Sequence, residues 1–219
     1  MSKLIAFVGV GNMGCPMAVN LMKSGKAVKV FDVSEKMLQI AKDKNLETVS
    51  NLNDLITGDV ETVITMLPEG KHSKEVYLGE KGIINKVSKS CLLIDCSTID
   101  IQTSIEIGKK ASEKKIDMID APVSGGVMGA QKATLNIMVG GPKEAFEKAL
   151  PLLKIMGKNI FHAGELGSGN GAKICNNMAL GIAMIAASES LMLAKRLNID
   201  IKKVHEIMKN ASGNSWPIS

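Results

Sequence analysis

Two polar side chains, Lys173 and Asn177, lie four residues apart in an otherwise apolar, small-residue-rich segment, GAKICNNMALGIAMIAASES. This spacing places both on one face of a helix. Burying an ammonium group beside the apolar run 178–187 costs free energy unless the group finds a partner. The pair is therefore either satisfied by structural partners or kept for chemistry, such as proton transfer by the amine. A lysine whose aliphatic stem covers the surface remains the alternative.

A glycine pattern near the start of the chain indicates a dinucleotide site. Residues 9–14 read GVGNMG, follow the apolar run LIAFV and open an amphipathic segment. In such a strand–turn–helix unit, the glycines allow a tight turn, close approach of a pyrophosphate and close helix packing. An ordinary tight turn is the alternative. The candidate cofactor-binding residues here are Gly9, Gly11, Asn12, Met13 and Gly14.

Asp32 ends the second apolar run, AVKVFDV, 18 residues after Gly14. An acidic residue about 20 residues beyond the glycines accepts hydrogen bonds from the ribose hydroxyls of NAD and repels the 2′-phosphate of NADP. No arginine follows in VSEK to bind that phosphate. The sequence therefore favours NAD over NADP. The alternative is that Asp32 is only a turn residue before Ser34.

Further candidates follow later apolar runs, where ligands bind outside the carboxyl ends of parallel strands. The turn Ser124-Gly125-Gly126 offers a hydroxyl group and two backbone N–H groups, a suitable nest for a substrate carboxylate. A flexible strand connection is the alternative. The candidates after two other runs are Met66, Leu67, Pro68, Ser97 and Thr98.

The order of these segments predicts an α/β fold. Apolar runs alternate with amphipathic segments at 34–44, 100–114 and 142–156, which is typical of a Rossmann-like, doubly wound, mainly parallel sheet. The closely spaced runs IDMIDAPV and LNIMVGG indicate an antiparallel edge strand. Ser34 is positioned to cap the first of these helices. We place an NAD-binding Rossmann domain at 1–163 and the start of an all-α substrate and dimerisation domain at 164–219, with a long helix over 170–197.

Composition excludes several classes of site. The chain has 219 residues and a formal charge of +5, but its basic residues form no stripe and only 3% of residues are aromatic. We therefore expect no nucleic-acid partner. Three scattered histidines and four cysteines without CxxC spacing predict no metal site. The uncharged stretch 174–188 is shorter than the ~18 residues that a membrane span needs, so we expect no membrane partner.

Taken together, these segments resemble the β-hydroxyacid dehydrogenases, and in particular their 3-hydroxyisobutyrate branch. The matching segments run in order through nearly the whole chain: FVGVGNMGCPMAVNLMKSG, ITMLP, LLIDCSTID, DAPVSGGVMGA, IMVGG and GAKICNNMALG. The resemblance implies NAD-dependent oxidation of 3-hydroxyisobutyrate, or of a related β-hydroxyacid, to the semialdehyde, as in valine catabolism. Tartronate-semialdehyde reductases share the same motifs and remain an alternative.

The resemblance also implies roles for single residues. Lys173 corresponds to the family's catalytic acid/base, and a lowered pKa would suit it to that work. Asn177 and the turn Ser124–Gly126 correspond to substrate-holding groups, and Leu67, Pro68 and Thr98 to cofactor contacts. His72 occupies a position where relatives have another polar residue that touches NAD, although a solvated loop histidine is the other interpretation.

The sequence stops at Ser219, whereas family members continue through several more helices. Those helices complete the substrate domain, so a truncated, weakly active or inactive dinucleotide-binding fragment is the alternative function. Without them the long helix keeps an uncovered apolar side, which predicts a homodimer or a higher homo-oligomer. We detect no targeting segment before the first strand and expect a cytoplasmic protein, or a mitochondrial one if a presequence is missing.

Overall fold

The computed structural model describes residues 4–57 and 60–219. Within them, strands and helices alternate around one nine-stranded sheet. The strands are β1 Leu4–Val8, β2 Ala27–Phe31, β3 Glu47–Thr48, β4 Val60–Thr65, β5 Leu92–Asp95, β6 Asp117–Asp120, β7 Val123–Ser124, β8 Leu135–Gly140 and β9 Gly157–Gly164. The helices are α1 Gly14–Lys23, α2 Glu35–Asp43, α3 Leu52–Leu55, α4 Gly70–Leu78, α5 Ile101–Glu113, α6 Gly126–Gln131, α7 Lys143–Met156, α8 Ser168–Arg196 and α9 Ile201–Asn210, with a 3₁₀ turn at Ile83–Asn85.

The strand order is β3-β2-β1-β4-β5-β6-β8-β7, and β9 also pairs with β8. All pairs from β3 to β6 are parallel, which confirms the predicted Rossmann-like sheet. An antiparallel strand is present too, since β8 runs antiparallel to β6 and β7. β7 ends the strand order and is the antiparallel edge strand that these two runs predicted, whereas β8 lies inside the sheet because β9 also pairs with it in parallel.

The alternation of side chains along β1 divides the core between the two faces of the sheet. Ile5 and Phe7 pack in one hydrophobic cluster with Met17 and Leu21 of α1. Leu4, Ala6 and Val8 pack in the opposite cluster, on the side that includes Tyr77. Because both faces of the central strands are covered, their carboxyl ends form the edge that remains open for ligands.

Helix ends agree with the sequence in most places, with one correction. The carboxylates of Asp100 and Asp200 accept hydrogen bonds from the backbone N–H groups of Thr103 and Lys202 at the starts of α5 and α9. Ser34 occupies the predicted cap position of α2, but its side chain makes no capping hydrogen bond. The backbone just before α2 is held by Asp32 instead, because its carboxylate accepts a hydrogen bond from the N–H of Ser34.

The chain divides into two compact units, Met1–Lys173 and Ile174–Ser219. Helix α8 runs from the end of the first unit through most of the second. It contains an 18-residue window of mean hydropathy 1.4, of which 11% is buried. We expected the uncharged stretch 174–188 to be too short for a membrane span. That expectation was wrong about length, because the helix continues beyond this stretch and has 29 residues. A core helix of a soluble protein meets the same criterion, and the domain boundary at 163/164 stays a prediction.

Candidate dinucleotide and substrate site

A cavity of about 510 Å³ opens where β1, β2 and β4 end. Most of the residues predicted to bind a cofactor line this cavity. The structure thus brings together motifs that are separate in the sequence. The cavity-lining residues from that prediction are Gly9, Gly11, Asn12, Met13, Gly14, Asp32, Met66, Leu67 and Pro68. The wall is mainly apolar, which suits the faces of a nucleotide base, and its polar groups are those of the glycine turn, Asp32, His72 and Glu75.

The glycine turn leads directly into α1, and Gly14 permits this close junction. A Cβ atom at Gly14 would overlap the carbonyl oxygen of Gly9. The preceding residue, Met13, offers no side-chain cap to the helix, and the N–H of Cys15 is already bound to the carbonyl oxygen of Gly11, so the N–H of Gly14 is left for another acceptor. Such N–H groups at the positive end of a helix are a suitable site for a pyrophosphate.

Asp32 joins the glycine turn to the end of β2. Its Oδ2 accepts a hydrogen bond of 2.8 Å from the N–H of Val10, and its Oδ1 accepts one of 2.9 Å from the N–H of Ser34. A carboxylate has about four acceptor positions, so two remain for ribose hydroxyls. Asp32 is therefore a turn residue and a cavity residue at once, and the two interpretations made from the sequence are compatible.

Ser97 is fully buried behind the cavity, and its hydroxyl oxygen accepts a hydrogen bond of 2.8 Å from the N–H of Leu67. The Ser97 side chain therefore holds the loop that follows β4. Thr98, next along the chain, is exposed and does not line the cavity. Their direct contact with a cofactor stays a prediction.

A buried polar network lies behind this loop, at the ends of β4 and β5. The hydroxyl group of Thr65 donates to Asp95 Oδ1 and lies 2.8 Å from the hydroxyl group of Tyr77. Burial raises the pKa of Asp95, although hydrogen bonds from Ser97 and Thr65 oppose the rise. Burial and the neighbouring Asp95 raise the pKa of Tyr77 well above its ordinary value, so Tyr77 stays protonated. The network connects the ends of β4 and β5 to α4, and it leaves Asp95 Oδ2 buried without a protein partner.

The predicted anion-binding turn lies between β7 and α6. Ser124 ends β7 and is partly exposed, while Gly125 and Gly126 are exposed. Their φ angles are 132° and 62°, which is backbone that glycine adopts without strain. Among the described residues no hydrogen bond occupies the Ser124 hydroxyl. The turn can therefore present this hydroxyl group and adjacent N–H groups to a carboxylate.

Lys173 is the last residue of the first unit and lies in the second turn of α8. It is 9% exposed, and no side chain among residues 4–57 and 60–219 forms an ion pair or hydrogen bond with its ammonium group. Burial lowers its pKa below the ordinary lysine value. The amine of this largely buried side chain has no partner and a lowered pKa, which are the properties of a proton acceptor, and its catalytic role stays a prediction.

Asn177 follows one helical turn later, in the second unit, and is exposed. Helix periodicity places it on the same side of α8 as Lys173. Its carboxamide makes no hydrogen bond to any residue within the described part of the chain, so both its donor and its acceptor are available. Its role in holding a substrate stays a prediction.

Several cavity residues were missed from the sequence or left open. His72 lines the cavity, and its Nδ1 atom is buried without a protein partner. Val33 also lines the cavity and is 91% exposed. It directly follows Asp32, so its place in the sequence could have identified it as a cavity residue. The other missed residues lining the cavity are Val8, Phe31, Met37, Glu75 and Val76. The described residues contain no group of three or more His, Cys, Asp or Glu side chains able to hold a metal ion.

Comparison with known families agrees with this geometry. Residues 4–164 match the model for the NAD binding domain of 6-phosphogluconate dehydrogenase. Residues 167–219 match the model described as NAD-binding of NADP-dependent 3-hydroxyisobutyrate dehydrogenase. The two matches together cover both units of the chain.

Individual relatives are similar over nearly the whole chain. The 3-hydroxyisobutyrate dehydrogenase of Pseudomonas aeruginosa is 45% identical over 98% of this chain and 72% of its own length. The NAD-dependent L-serine dehydrogenase of the same organism is 40% identical over 99% of this chain and 72% of its own length. A solved structure of 3-hydroxyisobutyrate dehydrogenase from Mycobacterium tuberculosis with L-serine is 36% identical, with a TM-score of 0.91, and covers 99% of this chain and 73% of that one.

Proposed function

Because this chain belongs to the NAD-dependent β-hydroxyacid dehydrogenases, we propose that it oxidises 3-hydroxyisobutyrate or a closely related small β-hydroxyacid to the semialdehyde. The observation that carries the proposal is the largely buried side chain of Lys173, whose amine has no partner among the described residues and which lies in the same compact unit as the dinucleotide cavity. The fold alone would not support a reaction, since many functions share it.

NAD supplies the hydride acceptor when it is bound. Asp32 would hold its ribose through the two free acceptor positions of the carboxylate, and the glycine turn would hold its pyrophosphate through free N–H groups such as that of Gly14. Oxidation of the alcohol also releases the hydroxyl proton. The neutral amine of Lys173 accepts this proton as the carbonyl forms, and the ammonium group returns it in the reductive direction.

The substrate carboxylate needs hydrogen-bond donors other than Lys173, because Lys173 is assigned to the proton of the substrate hydroxyl group. Ser124 and the N–H groups of Gly125 and Gly126 provide them at the turn before α6. The carboxamide of Asn177 provides a further donor and acceptor one turn after Lys173. We assign these groups to substrate binding, because a carboxylate is the feature that all β-hydroxyacids share.

L-serine is the second candidate substrate. It is itself a β-hydroxyacid, with an ammonium group where 3-hydroxyisobutyrate has a methyl group. Two observations favour its inclusion, since one relative is named an L-serine dehydrogenase and a solved relative contains L-serine. Both substrates would react at the same primary alcohol, so the same lysine serves either.

We also propose that a second copy of the chain covers the exposed face of α8. Ile174, Met178, Ile182 and Ile185 are 44%, 64%, 62% and 64% exposed, and their spacing places them on one side of the helix. Gly181, on the same helix, has no neighbouring atom within 4 Å of a built Cβ position. A contiguous apolar stripe of this kind is typical of an interface between protein chains.

NADH formation with purified protein tests the activity. The assay compares 3-hydroxyisobutyrate, L-serine and propan-1-ol, which has the alcohol but no carboxylate. We expect turnover with one or both acids, none with propan-1-ol, and a loss of ~10²–10⁴-fold in kcat for Lys173→Ala, the range that a positioned base contributes. Binding of NAD without turnover of any acid would refute the proposed activity and leave a dinucleotide-binding fragment.

A further inference from the structure

The start of helix α8 is held by a buried carboxyl group from the sheet. Asp120 ends β6, and its Oδ1 and Oδ2 accept hydrogen bonds of 2.7 Å from the N–H groups of Gly167 and Asn170, respectively. Asp120 and Asn170 are both 0% exposed. The first N–H groups of a helix have no partner within the helix, so this carboxyl group satisfies donors that burial would otherwise leave unpaired.

The side chain of Asn170 attaches the same helical turn to a second part of the sheet edge. Its Oδ1 accepts a hydrogen bond of 3.0 Å from the N–H of Ile99, in the loop after β5. Its Nδ2 donates one of 2.9 Å to the hydroxyl oxygen of Ser104 in α5. Asp120 and Asn170 together therefore connect α8 to β6, to the β5 loop and to α5.

The packing at this point is close at Gly169. A Cβ atom at Gly169 would lie 2.5 Å from the carbonyl oxygen of Met138 and 2.8 Å from that of Asp120. The first turn of α8 thus lies directly against the ends of β6 and β8. Only a residue without a Cβ atom fits at position 169, so the first turn of α8 packs closely on these two strands.

Lys173 follows Asn170 by three residues and so lies one turn further along the same side of the helix. It makes no ion pair with Asp120, whose oxygens are already bound to backbone N–H groups. The place of the Lys173 backbone, from which the side chain extends, therefore depends on where the first turn of α8 is held.

We propose that Asp120 and Asn170 are positioning residues that fix the place and the partial burial of the Lys173 side chain. The proposal rests on the proposed function, in which Lys173 is the acid/base. A purely structural role would give these residues an effect on stability alone. A positioning role also predicts a change in the titration of Lys173 and in kcat, while the separate glycine turn still binds NAD.

The test uses the full chain with Asn170→Ala and Asp120→Asn, and Asn51→Ala as the matched control. Asn51 also caps a helix, because its Oδ1 accepts a hydrogen bond from the N–H of Asp54, but this cap is exposed and belongs to α3. Three quantities are measured: NAD affinity by calorimetry, kcat and KM, and the pH dependence of Lys173 acylation by an amine-selective reagent, followed by peptide mass spectrometry.

We expect NAD affinity within about twofold of wild type and kcat lowered roughly 10–100-fold, the cost of slight misplacement of a reacting group. The midpoint of the acylation profile should rise towards that of an ordinary lysine, because loosening the turn hydrates the amine. Asn51→Ala should leave all three quantities unchanged. An unchanged midpoint together with wild-type kcat in Asn170→Ala would overturn the positioning role.

Two further arms separate the possible failures. If the wild type turns over no β-hydroxyacid, the proposed function fails, and the acylation midpoint alone still decides whether Asp120 and Asn170 control the amine. If Asn170→Ala does not bind NAD, Ser104→Ala replaces it, since that change removes one hydrogen bond and keeps the bond to Ile99. A smaller shift in the same direction then supports the proposal, and no shift refutes it.

Discussion

The hydroxyl group of Ser97 accepts a 2.8 Å hydrogen bond from the backbone N–H of Leu67. Ser97 follows β5 and is fully buried, whereas Leu67 follows β4 and lines the cavity. The loop after one strand thus sets the position of the loop after its neighbour. Ser97 therefore supports the wall of the cavity through Leu67, and its direct contact with a cofactor stays a prediction.

Ser97→Ala removes this bond and leaves the N–H of Leu67 unpaired beside the cavity. We expect the free energy of unfolding to fall by ~1–3 kcal/mol, the cost of an unsatisfied donor, and NAD affinity to fall with it. Urea unfolding and calorimetry measure the two effects. Ser88→Ala, at an exposed serine, is the control. Equal behaviour of the two variants would show that the bond does not support the cavity wall.

Asp32→Asn keeps the shape of the side chain but removes its charge. NAD should bind roughly 10–100-fold more weakly, because hydrogen bonds to a charged acceptor are lost, and NADP should bind better relative to NAD as the repulsion of its 2′-phosphate disappears. The measured quantity is the ratio of the two dissociation constants. Glu35→Gln changes a nearby exposed charge and should leave the ratio unchanged. A wild-type protein that prefers NADP would contradict the assignment.

The lowered pKa of Lys173 predicts the pH dependence of the reaction in both directions. Oxidation needs the neutral amine, so its kcat/KM should rise with pH and level off above a midpoint lower than the pKa of an ordinary lysine. Reduction needs the ammonium form, so its kcat/KM should fall through the same midpoint. Lys158→Met, at an exposed lysine, should leave both profiles unchanged. A profile without this shared midpoint would remove Lys173 from the proton transfer.

Burial of the Lys173 amine also predicts an effect on stability. Burial lowers the pKa of Lys173 in the folded state, so at neutral pH the charged amine is less well solvated there than in the unfolded chain. This cost to the free energy of unfolding decreases as pH rises through the folded-state pKa, because the amine then loses its proton. Lys173→Met should therefore increase the free energy of unfolding at neutral pH, and the gain should shrink at alkaline pH. Urea unfolding at both pH values measures the difference.

Self-association through α8 is tested by Ile182→Lys. In a symmetric dimer each copy contributes the same residue, so the change should weaken association roughly a hundredfold or more through two lost apolar contacts. Light scattering at several protein concentrations measures it. The matched control is Ile207→Lys on α9, where the side chain is 64% exposed compared with 62% for Ile182. A monomeric wild type, or an equal effect of both changes, would argue against this interface.

The sequence was sufficient for the features that depend on short-range pattern. The glycine turn, Asp32 after β2, and the long helix all follow from spacing and periodicity within a few residues. The position of β8 between β6 and β9 did not follow, because strand order is decided by packing between distant segments. The short helices α3 and α6 were missed as well, since four to six residues carry too little periodicity.

In the candidate site, too, the sequence predicted the residues with local motifs but not their distant partners. Residue types identified Lys173 and the glycines, but not the residues that hold them in place. Asp120 lies 50 residues before Asn170 in the chain, and only the folded sheet brings its carboxyl group to the helix. The burial of Ser97 and the assignment of its hydroxyl group to Leu67 likewise depend on pairing between β4 and β5.

Tyr77 gives the polar network behind the cavity an optical signature. It is the only tyrosine in the chain, and its hydroxyl group is buried against Thr65 with a pKa well above the ordinary value. Tyrosinate absorbs in the near ultraviolet at wavelengths where the protonated ring does not. An alkaline titration should therefore stay silent while the strand ends remain packed, so the appearance of this absorbance marks the opening of the network at one known residue.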